Sequence, residues 1–218
     1  AGARSTADIE HNGLTLNGVG NGTKIENIYV LESADDAIEF FGGTVNVTNL
    51  LAVNPDDDMF DFTQGYCGTL KNCYGVWESG YTSTEADPRG IEADGNLDGD
   101  YSDHLRQSDF TVENMTIVNN AANTTDNVDR MQDVIKIRRG AKATITNALV
   151  KGSGGTIDLI DMNDSKGAGS ASSSISITHT LNFKNKLNGT LNTFTEPTTN
   201  TGADASLFTW SGYNFSSL

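Results

Sequence analysis

Positive charge is scarce in this 218-residue sequence: 14 lysines and arginines stand against 29 aspartates and glutamates, a formal charge of −15. That deficit excludes a nucleic-acid-binding domain held by phosphate contacts. It also argues against docking on anionic lipid. Long apolar runs are missing. None approaches the roughly 18–20 residues that cross a bilayer, so no direct membrane insertion is expected. No signal peptide is present, and an export signal is expected to have been removed or to lie outside this sequence. Proline numbers three and cysteine two. Cys67 and Cys73 are spaced C-x5-C, which is no zinc motif; a buried thiol at Cys73 and a local disulfide are both open. His11 and His104 stand alone, without catalytic or zinc-ligand spacing. Gly18-Val19-Gly20-Asn21-Gly22 reads as a turn, not as a dinucleotide fingerprint. What remains is rich in glycine (23 residues), serine, threonine and asparagine. That mix is poor in helix formers and rich in turn formers, and it implies an all-β chain.

Two short strings recur. The first is apolar–x–Asn–apolar, at Ile25–Ile28, Val47–Leu50, Leu70–Cys73, Val112–Met115 and Ile145–Ala148, with a sixth copy expected at Ile177–Thr180 where His179 replaces asparagine. The second is apolar–x–apolar, at Leu14–Leu16, Ile38–Phe40, Phe60–Phe62, Ile91–Ala93, Ile135–Ile137 and Ile157–Leu159. They alternate at offsets of about 10–12 residues, so one unit spans about 22, and longer intervals are units with corner insertions. Strands this short are not stable alone; stacking like units buries a continuous core. The expected fold is a parallel β-helix of about six to seven coils over residues 1–187, with an asparagine ladder at one corner. Residues 188–218 are irregular, and Leu207, Phe208, Trp210, Tyr213 and Phe215 are expected to cover the open end. Leu14–Leu16 already reads as a coil strand, so the chain is expected to be the C-terminal part of a longer protein.

In each apolar–x–apolar string the middle residue points outward. The outward ladder is then Thr15, Glu39, Asp61, Glu92, Lys136 and Asp158. Stacked carboxylates about 4.8 Å apart repel one another and call for a compensating cation or lysine. The preceding corner adds Asp35, Asp36, Asp57 and Asp58, a hard-oxygen set suited to Ca2+. Asp94-Gly95-Asn96-Leu97-Asp98-Gly99-Asp100 matches the opening of a calcium loop, though the twelfth position is Leu105 rather than a bidentate glutamate. The metal candidates are thus Asp35, Asp36, Asp57, Asp58, Asp94, Asn96, Asp98 and Asp100. An enzymatic reading would use Glu39, Asp61 and Glu92 with Arg89, Lys136 or Arg138, as a polysaccharide lyase or a glycoside hydrolase. It predicts a groove over that ladder, walled by insertions around residues 78–88 and 119–131. Ion pairing of Arg89 and Lys136 with Glu92 is the plainer account of the same residues. Tyr66, Tyr74, Trp77, Tyr81 and Tyr101 lie near the insertions and are candidates for stacking on sugar rings.

The string His11-Asn12-Gly13-Leu14-Thr15-Leu16-Asn17-Gly18-Val19-Gly20-Asn21-Gly22, Asp35-Asp36 followed by Phe40-Phe41-Gly42-Gly43, Asp56-Asp57-Asp58 before Phe60-Asp61, and Arg89-Gly90-Ile91-Glu92-Ala93-Asp94 resemble segments of secreted bacterial surface proteins, often lipoproteins, of the pectate-lyase-like β-helix superfamily. The resemblance covers roughly residues 9–160. It implies a right-handed parallel β-helix and a secreted or cell-surface location. The partner expected is a polysaccharide or another surface protein. It implies no settled activity, and no lyase catalytic motif matches residue by residue. The function expected is a structural or glycan-binding module carrying Ca2+, with the lyase or hydrolase as the alternative.

Overall fold

The structure is a computed structural model that describes residues 2–6, 9–121 and 130–218. Among these residues, thirteen strands form two sheets, and successive strands alternate between them up to β12. The six-stranded sheet contains β1 (Leu14–Asn17), β3 (Ile38–Phe41), β5 (Phe60–Thr63), β7 (Ile91–Asp94), β9 (Met131–Arg138) and β11 (Thr156–Asp161). The seven-stranded sheet contains β2 (Lys24–Leu31), β4 (Asn46–Val53), β6 (Thr69–Trp77), β8 (Asp109–Asn119), β10 (Lys142–Gly152), β12 (Ser174–His179) and β13 (Thr193–Thr195). Every strand pair within the two sheets is parallel, as the repeat requires.

The register stacks like on like. Ile25, Val47, Leu70, Val112, Ile145 and Ile175 form one column across the larger sheet, and Ile28, Leu50, Cys73, Met115, Ala148 and Ile177 form a second. Both columns supply the main core. Phe40 and Phe62 of the smaller sheet stack at 5.2 Å between ring centroids, and Phe62 stacks across the core on Phe110 of β8, in the larger sheet, at 4.1 Å. Cys73 lies buried in its column, and Cys67 and Cys73 are both free thiols, which settles the open pairing in favour of the buried thiol.

Asparagine bends each long strand. Asn27, Asn49, Asn72, Asn114 and Asn147 all adopt φ of 53–58°. Asparagine tolerates this left-handed region better than other side chains with a Cβ. The bend lets residues on both sides of it, such as Val47 and Leu50, face the same core. Side-chain amides then bond along the stack: Asn49 Nδ2 donates to Asn27 Oδ1 (3.0 Å), Asn72 to Asn49 (2.9 Å) and Asn147 to Asn114 (2.8 Å).

Three expectations need correction. His179 is not a ladder position: it pairs with Val150, while Ile177 pairs with Ala148. The amide at that level comes instead from Asn200, which donates to the carbonyls of Ser176 (3.0 Å) and Ala148 (3.2 Å). The outward ladder passes from Lys136 to Asp161, because Asp158 pairs with Asp133. Finally, the C-terminal aromatics do not sit over the end of the stack. Leu181, Phe183, Leu187, Leu191 and Phe194 pack against the main core near β12. Residues 197–218 run back along the outer face of the larger sheet as a strap. Phe208, Tyr213 and Phe215 pack there on Leu51, Val53, Tyr74, Val76 and Val118. The strap is tied to the ladder by Thr201 N to Asn147 Oδ1 (2.8 Å) and Asp204 N to Asn72 Oδ1 (2.7 Å).

Candidate functional site

From β3 onward, each strand of the smaller sheet has a charged residue three positions before its outward residue, at the entering corner for Asp36, Asp58 and Arg89 and within the strand for Asp133 and Asp158. This column is Asp36, Asp58, Arg89, Asp133, Asp158. The strand column is Glu39, Asp61, Glu92, Lys136, Asp161, in register from one strand to the next. The repeats at Arg89–Glu92 and Asp133–Lys136 each contain a cation beside an acid. The repeats at Asp36–Glu39, Asp58–Asp61 and Asp158–Asp161 contain only acids, and the first two are adjacent.

The two adjacent acid-only repeats, Asp36–Glu39 and Asp58–Asp61, hold the densest grouping. Oxygens of Asp35, Asp36 and Asp57 lie within 4.8 Å of one another, as do those of Asp36, Glu39 and Asp61, and those of Asp58, Asp61 and Glu92. Asp36 and Asp58 are buried, at 4% and 2% exposure. Asp36 Oδ1 accepts from Asp58 N at 3.0 Å. Asp57 Oδ1, Asp58 Oδ1 and Asp61 Oδ1 are buried with no hydrogen-bond partner. A buried polar oxygen left unpaired costs about 1–3 kcal/mol, and more when charged. Carboxylate oxygens in this number and setting are the ligands that Ca2+ takes, six to eight at a time.

Burial accordingly favours the neutral form. It pushes Glu39 up to about 7 and Asp57 up to about 8. It carries Asp36, Asp58 and Asp61 well above the usual carboxylate range, and the neighbouring acids add to it. Glu92 is also raised by burial, although Arg89 and Arg138 pull it down.

From Glu92 onward cations enter the columns. Arg89 and Arg138 both pair with Glu92. Arg89 also pairs with Asp87 at 2.7 Å. Lys136 pairs with Asp161, not with Glu92 as the plainer account supposed. Burial lowers the affinity of both guanidinium groups for their protons, but Asp58 and Glu92 around Arg89, and Glu92 and Asp94 around Arg138, outweigh it. Both are held charged, the opposite of what a proton acceptor needs.

The sequence-matched calcium loop is occupied by protein contacts. Asp94 binds Arg138 and Arg139, each at 2.6 Å. Asn96 Nδ2 donates to Gln107 Oε1 (2.7 Å), and Asn96 Oδ1 accepts from Tyr101 N (3.0 Å). Asp98 faces Arg139 at 3.6 Å and Asp100 faces Lys166 at 3.6 Å. The structure therefore brings Asp35, Asp36, Asp57 and Asp58 together with Glu39, Asp61 and Glu92, and leaves Asp94, Asn96, Asp98 and Asp100 in a separate ion-paired corner.

Two groupings were not anticipated. Asp133, Asp158 and Asp161 converge, satisfied in part by Lys136 and by Asn185, which donates to Asp158 Oδ1 at 2.7 Å. Glu10, Asp56 and Glu85 also converge, around Arg4, which lies 2.8 Å from Asp56. The three-residue spacing between charged residues would have exposed the first; nothing in the pattern announces the second.

The groove expected of an enzyme has one wall to inspect. Within residues 78–88, Ser83 Oγ donates to Asp56 O, and Thr84 N to Asp56 Oδ1 at 2.7 Å, so this insertion lies down against the acidic corner. Most of the other wall, at 122–129, lies outside the described residues. Four cavities of about 230 to 530 Å³ open elsewhere, and none is lined by Glu39, Asp61, Glu92 or Lys136. Of the candidate stacking aromatics, Tyr66, Tyr74 and Trp77 are buried, and Tyr81 packs on Trp77 and donates to Pro55 O at 2.8 Å. Tyr101 is exposed.

Among the described residues, no helix is long and apolar enough to cross a membrane. The family model for a pectate-lyase-like beta helix domain matches residues 1–212. No curated protein and no solved structure matches the chain.

Proposed function

The chain belongs to the pectate-lyase-like beta helix family, and from that premise we propose that it is a secreted or cell-surface module whose acidic corner binds Ca2+ in a structural or glycan-binding role. A β-helix domain of this family fits a structural or carbohydrate-related role. In this reading the chain is a right-handed solenoid of about six to seven coils. The observation that carries the cation is the set of buried, unpartnered oxygens on Asp57, Asp58 and Asp61. Asp35, Asp36, Asp57, Asp58 and Asp61 would hold it, with Glu39 and Glu92 alongside. The ion would supply positive charge where two successive repeats have none. A cation bound between repeats would lock them together, and one reachable from solvent would also take oxygens from an acidic or hydroxyl-rich polysaccharide.

The lyase or hydrolase reading rests on a single favourable observation: Glu39, lifted to about 7, would keep a proton near neutrality, as a general acid must. It is weakened by Arg89 and Arg138, which are held charged, and by Glu92, whose oxygens both guanidinium groups occupy.

The test is thermal melting of the full chain with Ca2+ and with chelator. Binding at a hundredfold excess over Kd stabilises by about 2.7 kcal/mol, which in a domain of this size raises Tm by roughly 5–10 °C. An unchanged Tm would sink the calcium reading. Turnover of a polysaccharide that Glu39→Gln abolishes would replace it with the enzymatic one.

A further inference from the structure

We propose that the acidic corner holds two divalent cations side by side, one for each of the two adjacent acid-only repeats, Asp36–Glu39 and Asp58–Asp61. The inference rests on the calcium reading above and adds number and arrangement to it.

The two charged columns contain their own comparison. Where a repeat has Arg89 or Lys136, the acid in it finds a partner: Glu92 pairs with Arg89 and Arg138, and Asp133 lies 3.7 Å from Arg89. The acid-only repeat Asp158–Asp161 borrows Lys136 for Asp161 and Asn185 for Asp158. The repeats at Asp36–Glu39 and Asp58–Asp61 have the same backbone register and the same three-residue spacing, but neither has a cation. The unpartnered buried oxygens fall there, on Asp57, Asp58 and Asp61. Asp58, at 2% exposure, is a buried side chain with an oxygen unpaired in the midst of this grouping.

The grouping is also too long for one ion. The triples Asp35–Asp36–Asp57 and Asp58–Asp61–Glu92 have no residue in common, and the triple Asp36–Glu39–Asp61 joins them by sharing one residue with each. Asp57 and Asp58 are adjacent in the chain yet belong to different triples. One ion in the first triple leaves Asp58 and Asp61 uncompensated; one in the last leaves Asp35 and Asp57 so. Two ions, one in each outer triple, reach all of them. Each outer triple brings one oxygen from each of three carboxylates within 4.8 Å; in the second triple Glu92 already carries Arg89 and Arg138, so Asp58 and Asp61 are the ligands left for the ion. Asp36 and Asp61 then face both ions.

The experiment counts Ca2+ bound per chain by equilibrium dialysis of metal-stripped protein, and repeats the count on D57N and D58N. The expected result is two ions for the wild type and one for each variant. One ion in the wild type, lost in both variants, overturns the pair and leaves the calcium reading standing. No ion at all overturns both. Two or more ions unaffected by either substitution place them elsewhere and overturn the assignment. Should a variant fail to fold, the wild type alone decides: loaded with mixed Tb3+ and Eu3+, it is expected to show energy transfer between neighbouring lanthanides. Absence of transfer at full loading overturns the pair.

Discussion

Burial makes a carboxyl group costly when ionised and tolerable when protonated, even where one donor remains, as Asn12 does for Glu39 at 2.6 Å. Glu39 at about 7, Asp57 at about 8 and Asp133 at about 6 therefore hold protons in the folded chain that the unfolded chain has already released. Since the native state binds more protons, the stability they contribute is present in acid and is lost as pH rises through about 6 to 8. In chelator the protein is expected to melt at a higher temperature near pH 5 than near pH 8.5, and Ca2+ should close most of that gap by replacing protons. A cation-free Tm that climbs over the same range would contradict the burial described here. The Asp35-Asp36 and Asp57-Asp58 corner was legible because each pair precedes an apolar–x–apolar string at equal distance. At the Asp94–Asp100 loop, spacing alone cannot reveal that Arg138 and Arg139 arrive from 44 and 45 residues away.

At the scale of the element, the asparagine bend performs two tasks that substitution can separate. Asn49→Gly keeps the left-handed backbone at little steric cost but removes the amide contacts with Asn27 and Asn72. Asn49→Ala removes those contacts and adds the left-handed penalty of about 1–2 kcal/mol. In urea unfolding, alanine is expected to destabilise by roughly 2–4 kcal/mol and glycine by clearly less. Equal losses would mean that the ladder bonds matter and the bend does not. Five ladder asparagines could be read from the string, because no other residue with a Cβ suits that backbone so well. The last repeat could not. Ile157-Asp158-Leu159-Ile160-Asp161-Met162 contains the apolar–Asp–apolar pattern twice, three residues apart, and periodicity has no means to choose between them. Register chose Asp161 for the outward column.

At the scale of the molecule, stacked repeats ordinarily touch only their neighbours, and such arrays can fray from an end. The strap adds bonds that skip repeats: Ala203 N to Thr116 Oγ1 at 2.9 Å, Asp204 N to Asn72 Oδ1 at 2.7 Å, and Tyr213 Oη to Glu78 Oε1 at 2.8 Å. Deleting residues 197–218 is expected to uncover Leu51, Val53, Tyr74, Val76 and Val118, increase binding of a hydrophobic dye and broaden or split the melting transition. A deletion variant that melts as sharply as the full chain, with no added dye binding, would show that the strap is dispensable. The apolar character of this segment was plain in sequence. Its destination was not, because the outward apolar residues that receive it lie within strands that already read as core.

The strap also fixes an order of events. Its binding surface is assembled from β2, β4, β6 and β8, and every one of those strands is synthesised before residues 197–218. A nascent chain folding from its N-terminal side therefore carries an uncovered greasy flank until the last stretch emerges. During that interval the flank is a binding surface for chaperones or for other nascent chains, and it closes only when synthesis reaches the strap.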